Sequence, residues 1–185
     1  MGIKNLNAFL RPYGKQVQLE NYKNKIFAID VSIYMYKFKY KATTKQFLKR
    51  FEYQVNQFDK YNIKPIYIFD GQAPIEKKLL HAKRKVSQSN AENAIIITKE
   101  DKLALKNYFT ENQIEYITAS SEGEKYASYL TSNEKGNPII SKYADVCMSN
   151  DLDSLLFGSP IVLTSSKDGF VEYNLHEILT ALEIT

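Results

Sequence analysis

The sequence predicts an α/β protein in which a mostly parallel, twisted sheet carries helices on both faces. Three observations predict it. Four apolar runs of strand length, at residues 26–29, 66–69, 114–119 and 144–149, alternate with segments of helical periodicity. Each run empties into acidic residues, and the stretches between runs suit the crossover connections that parallel strands need. At 185 residues, 44% of them hydrophobic, the chain can bury one sizeable core and has little room for a second domain.

Element by element, Ile3, Leu6 and Leu10 fall at helical spacing before Pro12 interrupts, so a short helix opens the chain. After the first strand, residues 31–61 read as one long amphipathic crossover helix, marked by Phe47, Phe51, Val55 and Phe58 on one face. The second strand starts at Pro65, a residue tolerated at a strand's first position, and ends at the Asp70-Gly71 turn. Residues 75–89 are densely basic and fit no strand. Thr98 followed by Asp101 resembles a capping box, opening a helix through Leu103, Leu105 and Tyr108 toward Asn112. Residues 122–132 read as helix, 133–137 as a polar loop and 152–157 as a short helix ending at Gly158. Residues 161–164 and 170–173 flank a turn-rich segment as a hairpin, and a last helix covers 175–182.

The net charge of +4, from 25 basic and 21 acidic residues, says little by itself. If six acids are committed to a cleft, the remaining surface is more basic than the total suggests, and a phosphate backbone becomes a plausible counterpart. The single cysteine, Cys147, lies in a predicted buried strand and can form neither an intrachain disulfide nor a thiolate zinc cluster. The first ten residues lack the apolar core of a signal peptide, and no apolar run is long enough to span a bilayer. The expectation is a soluble, intracellular protein that is not secreted; nuclear, cytoplasmic and viral-factory settings all fit.

The chemistry rests on the acids. Asp30 follows the first strand, Asp70 the second, Glu122 and Glu124 the third, and Asp151 and Asp153 the fourth. In a parallel sheet all four carboxyl ends lie on one edge, where ligands of open α/β folds bind. A lone Asp after a strand is ordinarily a helix cap or turn residue. Two closely spaced acid pairs beside two single acids exceed what capping needs. Six like charges in one cleft repel and raise one another's pKa values, a cost that divalent cations absorb. Hard carboxylate oxygens without His or Cys partners suit Mg²⁺ or Mn²⁺, and two ions a few ångströms apart would support phosphodiester hydrolysis.

The basic stretch is the complement. On a helix Lys77, His81 and Arg84 share a face, with Lys78, Lys83 and Lys85 nearby. Lysine-rich helices are often merely solvated. This one starts seven residues after Asp70, at the lip of the acidic site, where a scissile phosphate needs positive charge. Tyr34, Tyr36, Phe38 and Tyr40 follow Asp30 on alternate positions, and Tyr36 is the ring singled out between base stacking and core packing. Ser32, Ser149 and Ser154 lack a histidine in a context that suggests a triad, so serine nucleophile chemistry is not expected.

The chain resembles the XPG/flap endonuclease family of structure-specific 5′ nucleases, which have a PIN-like fold. The resemblance rests on Met1-Gly2-Ile3-Lys4-Asn5-Leu6, Ile29-Asp30-Val31-Ser32, Tyr67-Ile68-Phe69-Asp70-Gly71-Gln72-Ala73-Pro74, Ser121-Glu122-Gly123-Glu124 and the segment 149–158. It implies one nuclease domain over 1–185, with an N-terminal region to about residue 100 and an internal region after it. It implies further that Asp30, Asp70, Glu122, Glu124, Asp151 and Asp153 hold two Mg²⁺ ions, with Mn²⁺ as substitute, and that Glu124, Asp151 and Asp153 lie closest to them. Lys77 and Arg84 match the cations that act on the scissile phosphate, Tyr36 the aromatic that stacks near the cleaved nucleotide, and Gly2 a residue that approaches the nucleic acid. Residues 75–89 would form a short helical arch over a single-stranded 5′ end. The expected partner is DNA with a 5′ end or flap, handled by a monomer. The helix-hairpin-helix duplex-binding module, a further metal-binding Asp and a sliding-clamp motif are not seen in the sequence. A ribonuclease of the same fold, and a nucleic-acid-binding protein that has lost turnover, are the other two readings.

Overall fold

The computed structural model describes Ile3 and residues 5–71, 95–132 and 143–184. The expectations for Gly2, Lys77, Lys78, His81, Lys83, Arg84 and Lys85, for the arch and for the 133–137 loop lie outside the described residues. Seven strands form one sheet: β1 (Lys15–Val17), β2 (Ile26–Asp30), β3 (Lys64–Phe69), β4 (Glu115–Thr118), β5 (Val146–Met148), β6 (Ile161–Ser166) and β7 (Gly169–Asn174). Their order is β1-β7-β6-β5-β2-β3-β4. Strands β2 to β6 run parallel, while β7 pairs antiparallel with β6 and β1.

The period-two alternation of the strands sorts the core into two layers. Phe27 and Ile29 of β2, Tyr67 and Phe69 of β3, and Val146 and Met148 of β5 share one cluster with residues of α2 (Val31–Lys39), α3 (Thr44–Asp59) and α4 (Lys99–Glu111). Ala28, Ile68 and Cys147, one residue out of phase, face the other layer. There they join residues of α1 (Leu6–Leu10), α5 (Gly123–Thr131), α6 (Asp153–Leu156) and α7 (Leu175–Ala181). Because both faces of the central strands are covered, their runs are apolar at nearly every position until the final acid.

The long crossover helix expected over residues 31–61 is two helices. The break follows Tyr40, where Lys41 adopts φ 47°, a left-handed conformation that a helix interior cannot accommodate. Thr43 then starts α3 with a reciprocal cap: its Oγ1 accepts from Gln46 N at 3.3 Å, and Gln46 Oε1 accepts from Thr43 N at 2.9 Å. Phe47, Phe51 and Phe58 keep their common face because all three lie within α3. The capping box at Thr98 and Asp101 forms as its spacing predicts, with Thr98 Oγ1 accepting from Asp101 N at 3.1 Å. Strand β1 and the 3-10 turns Arg11–Tyr13 and Leu19–Tyr22 are additions to the expected elements.

Candidate functional site

The chain leaves β2 for β3 and β4 on one side of the sheet, then crosses back to β5 and β6 on the other. The strand order therefore reverses between β2 and β5, and a crevice forms outside their carboxyl ends. Asp30 is the last residue of β2, Asp70 follows β3, Glu124 lies in the first turn of α5 after β4, and Asp151 and Asp153 follow β5.

Each carboxylate is held by a protein donor. Asp30 caps α2, its Oδ1 accepting from Ser32 N at 3.0 Å. The capping role and membership of the acid cluster thus coexist in one side chain. Ser32 Oγ donates to Asp70 Oδ2 at 2.6 Å, so one serine joins the ends of two strands. Asp70 Oδ1 accepts from Gly123 N at 2.8 Å, and Gly71 N donates to Ser121 O at 2.7 Å. Gly71 is needed for this nesting, since a Cβ there would lie 1.9 Å from Ala119 O, whereas one on Gly123 would make a tight 3.2 Å contact with Asp70 Oδ1. Glu124 Oε1 accepts from Ser154 Oγ at 3.2 Å, Asp151 Oδ1 from Asp153 N at 3.2 Å and Asp153 Oδ1 from Ile3 N at 3.0 Å.

The electrostatics show that these groups converge. Burial, then the charge of Asp70 and, more weakly, that of Asp151 push Asp30 up to about 7 against the opposing Ser32 hydrogen bonds. Burial followed by Asp151, Asp30 and Asp153 pushes Glu124 up to about 7. Among the described residues no lysine or arginine forms an ion pair with Asp30, Asp70, Glu124, Asp151 or Asp153.

Glu122 precedes α5, its Oε2 lies 2.9 Å from Lys125 Nζ, and it is not among the leading charges acting on Asp30 or Glu124. Tyr36 is 49% exposed on α2, whereas Tyr34, two residues earlier, is buried in the core. Ser32 and Ser154, which lack a histidine partner for nucleophile chemistry, serve as hydroxyl donors that orient carboxylates. The signal was their spacing, since Ser32 lies two residues after Asp30 and Ser154 one residue after Asp153.

The donor set fits a hard divalent cation: carboxylate oxygens only, mutually repelling, two of them (Asp30 and Asp153) buried, and without a described counter-ion. Among the described residues no three acids form a closed ligand group.

A family model of the XPG N-terminal domain matches residues 1–91, and one of the XPG I-region matches residues 113–185. Flap endonuclease 1 of Nanoarchaeum equitans is 32% identical over 196 residues, covering 88% of this chain and 55% of that protein. Among solved structures, the catalytic core of Rad2 in complex with DNA substrate aligns with a TM-score of 0.77 at 22% identity, over 99% of this chain and 58% of that one. The Holliday junction-resolving enzyme GEN1 in complex with product DNA and Mg²⁺ ion aligns with a TM-score of 0.66 at 18% identity, over 97% of this chain and 42% of that one. The α/β fold is shared with these structures. The chain spans little more than half the length of the curated relative.

Proposed function

The chain belongs to the XPG family, and from that premise we propose that its acidic crevice is the active site of a metal-dependent 5′ nuclease that hydrolyses phosphodiester bonds in flapped or branched DNA. The observation that carries this reading is the meeting of five carboxylates from four separate segments at the sheet's switch point, with no described cation to neutralise them. Asp30, Glu124, Asp151 and Asp153 would hold Mg²⁺ or Mn²⁺, with Asp70 beside them. Glu122, at the start of α5, would complete the acidic set. Bound divalent ions supply an activated water and stabilise charge on the phosphate.

The chain's own residues supply position and charge. Ser32, Ser154, Gly123 N and Ile3 N fix the carboxylates, so little reorganisation is needed when the ligand set fills. Lys77 and Arg84 would meet the scissile phosphate, with Lys78, His81, Lys83 and Lys85 extending the positive surface along the strand and Gly2 approaching the same nucleic acid. Tyr36, exposed on the helix that Asp30 caps, offers a ring face to a base next to the cleaved bond.

Incubating a 5′-flap DNA with the protein in Mg²⁺ and in EDTA, and repeating this with Asp151→Ala, tests the reading. Cleavage in Mg²⁺ that falls by at least about 10²-fold in the variant is expected, the scale of losing one preorganised charge-stabilising group. Equal cleavage by both proteins, or salt-sensitive binding with no product in Mg²⁺ or Mn²⁺, would refute it. A matched RNA flap run in parallel decides between the two nucleic acids.

A further inference from the structure

A cavity of about 370 Å³ opens beside the acid cluster, lined by Ile3, Asn5, Asn7, Ile33, Asn150 and Asp151. Its size falls within the roughly 300–1,000 Å³ of small-ligand sites. Metal chemistry explains Asp151 but not three carboxamides. Asn150 has a defined orientation, because its Oδ1 accepts from Ser165 N at 2.9 Å and from Ser165 Oγ at 3.2 Å. Its Nδ2 is left without an acceptor among the described residues. Asn5 stands at the cap position of α1 with φ 69° and makes no side-chain capping bond, so the usual local use of its amide is unfilled. Asn7 is exposed on the first turn of α1, and no described residue bonds its amide. Ile3 is drawn into the wall by its N–H donation to Asp153 Oδ1, and Ile33 follows the serine that joins Asp30 to Asp70.

This lining discriminates between ligand chemistries. Among the described residues no lysine or arginine lines the wall beside Asp151, so no described side chain there is arranged to bind a phosphate directly. A sugar would leave the two isoleucine side chains uncovered. A flat heteroaromatic base satisfies both features, with its faces against aliphatic carbon and its edge against carboxamides that donate and accept side by side.

We propose that this cavity is a nucleobase subsite that receives one unstacked base next to the phosphodiester bond at the acidic crevice, favouring adenine or cytosine. Both bases carry an exocyclic amine beside a ring-nitrogen acceptor, the pattern that an asparagine with both amide atoms unbonded among the described residues, as at Asn7, complements with two hydrogen bonds, while Asn150, whose Oδ1 is taken by Ser165, adds one donor through Nδ2. The subsite would give the enzyme a base preference beside the cut, superimposed on recognition of DNA shape. The proposal rests on the nuclease reading above for the identity of its substrate.

The test uses 5′-flap DNAs that carry adenine, cytosine, guanine, thymine or an abasic site at each of the two nucleotides flanking the cleavage position. Dissociation constants are measured by fluorescence anisotropy with Ca²⁺ in place of Mg²⁺, and cleavage rates with Mg²⁺. At one of the two positions adenine or cytosine should bind about tenfold more tightly than thymine or the abasic site, the scale of one good asparagine–base contact. Asn150→Ala and Asn7→Ala should each reduce that difference. Asn7→Ala guards against a folding defect, since alanine suits an exposed helical position and the Asn150–Ser165 bonds stay in place. Equal affinity for all five substrates, or a preference unchanged in both variants, overturns the subsite. Absence of cleavage alongside base-dependent binding would instead count against the nuclease reading, so the two failures are distinguishable.

Discussion

Replacing Asp30 with Asn should make the metal-free protein more stable at pH 8 while abolishing metal-dependent hydrolysis. The folded structure holds the Asp30 carboxyl up at about 7 instead of the ordinary 3.8, through burial first, then the charges of Asp70 and Asp151. A rise of that size corresponds to about 4 kcal/mol between the protonated and charged forms. The folded chain binds this proton more tightly than the unfolded chain. The resulting stabilisation is therefore complete below about pH 4 and is lost as the pH rises to about 7. At pH 8 the ionised carboxylate weighs on the folded state by up to about 4 kcal/mol. Asn still has to desolvate an amide, which leaves a net gain of about 2 kcal/mol. The cap survives, because the Asn oxygen can accept from Ser32 N as Asp30 Oδ1 does. Urea unfolding in EDTA at pH 5 and pH 8 reads the effect. The variant should gain at pH 8, the gain should shrink at pH 5, and added Mg²⁺ should stabilise the wild type more than the variant. A variant no more stable than wild type at pH 8, or a gain equal at both pH values, would refute the reasoning.

Three other substitutions probe how the crevice is held. Ser32→Ala removes the hydroxyl that donates to Asp70 but keeps the Asp30 cap, and should weaken Mn²⁺ binding, read by titration calorimetry, about tenfold, with recovery in Ser32→Thr. Gly71→Ala places a Cβ 1.9 Å from Ala119 O and should destabilise the fold by about 3 kcal/mol in urea titration; an unchanged midpoint would contradict the nesting of the two loops. Asp101→Asn removes the carboxylate charge that faces Lys39 Nζ at 2.6 Å and ties α4 to the end of α2, at a cost of about 2 kcal/mol at pH 7. Burial pushes Asp101 up, but the bonds from Lys39 and Thr98 outweigh it and hold the carboxyl below its ordinary range. This contribution is therefore present at neutral pH and lost as pH falls through the lowered value, so wild type and variant should converge in strong acid.

The sheet and the acids were legible for one reason: a strand buried on both faces reads as an unbroken apolar run, and its first charged residue marks the strand's exit. Asp30, Asp70, Asp151 and Asp153 could be located that way. The local ion pair of Glu122 with Lys125 could not, because it depends on how α5 starts, and only the i,i+3 spacing hints at it. The break between α2 and α3 was hidden by a hydrophobic period belonging to α3 alone; the Thr43 and Gln46 pair was the legible sign. Strand β1 has three residues, two of them polar and exposed, and takes its structure from β7, so its own sequence carries no strand signal. The asparagines of the cavity were illegible because Asn5, Asn7 and Asn150 meet only after the chain's first turn packs beside the end of β5.

The repulsion in the crevice persists because the acids cannot move apart. Ile29, Phe69 and Met148 each lie a residue or a few before an acid, and all three are locked in one buried cluster. Within that cluster Phe51 meets Phe38, Phe47, Tyr67 and Phe109 edge-on, while Tyr67 and Phe109 stack at 4.4 Å. Aromatic pairs contribute about 0.5–1.5 kcal/mol each beyond the area they bury, so the five contacts can offset a charging cost of the size found at Asp30. The ladders from β2 to β3 and from β2 to β5 fix the strand ends at neighbouring positions. A flexible edge would relieve the strain by letting the carboxylates swing into water and would lose affinity for a divalent ion to the same extent. The rigid aromatic layer beneath the crevice therefore does for ligand geometry what the serine hydroxyls do for individual oxygens, and loosening that layer should weaken cation binding before it unfolds the chain.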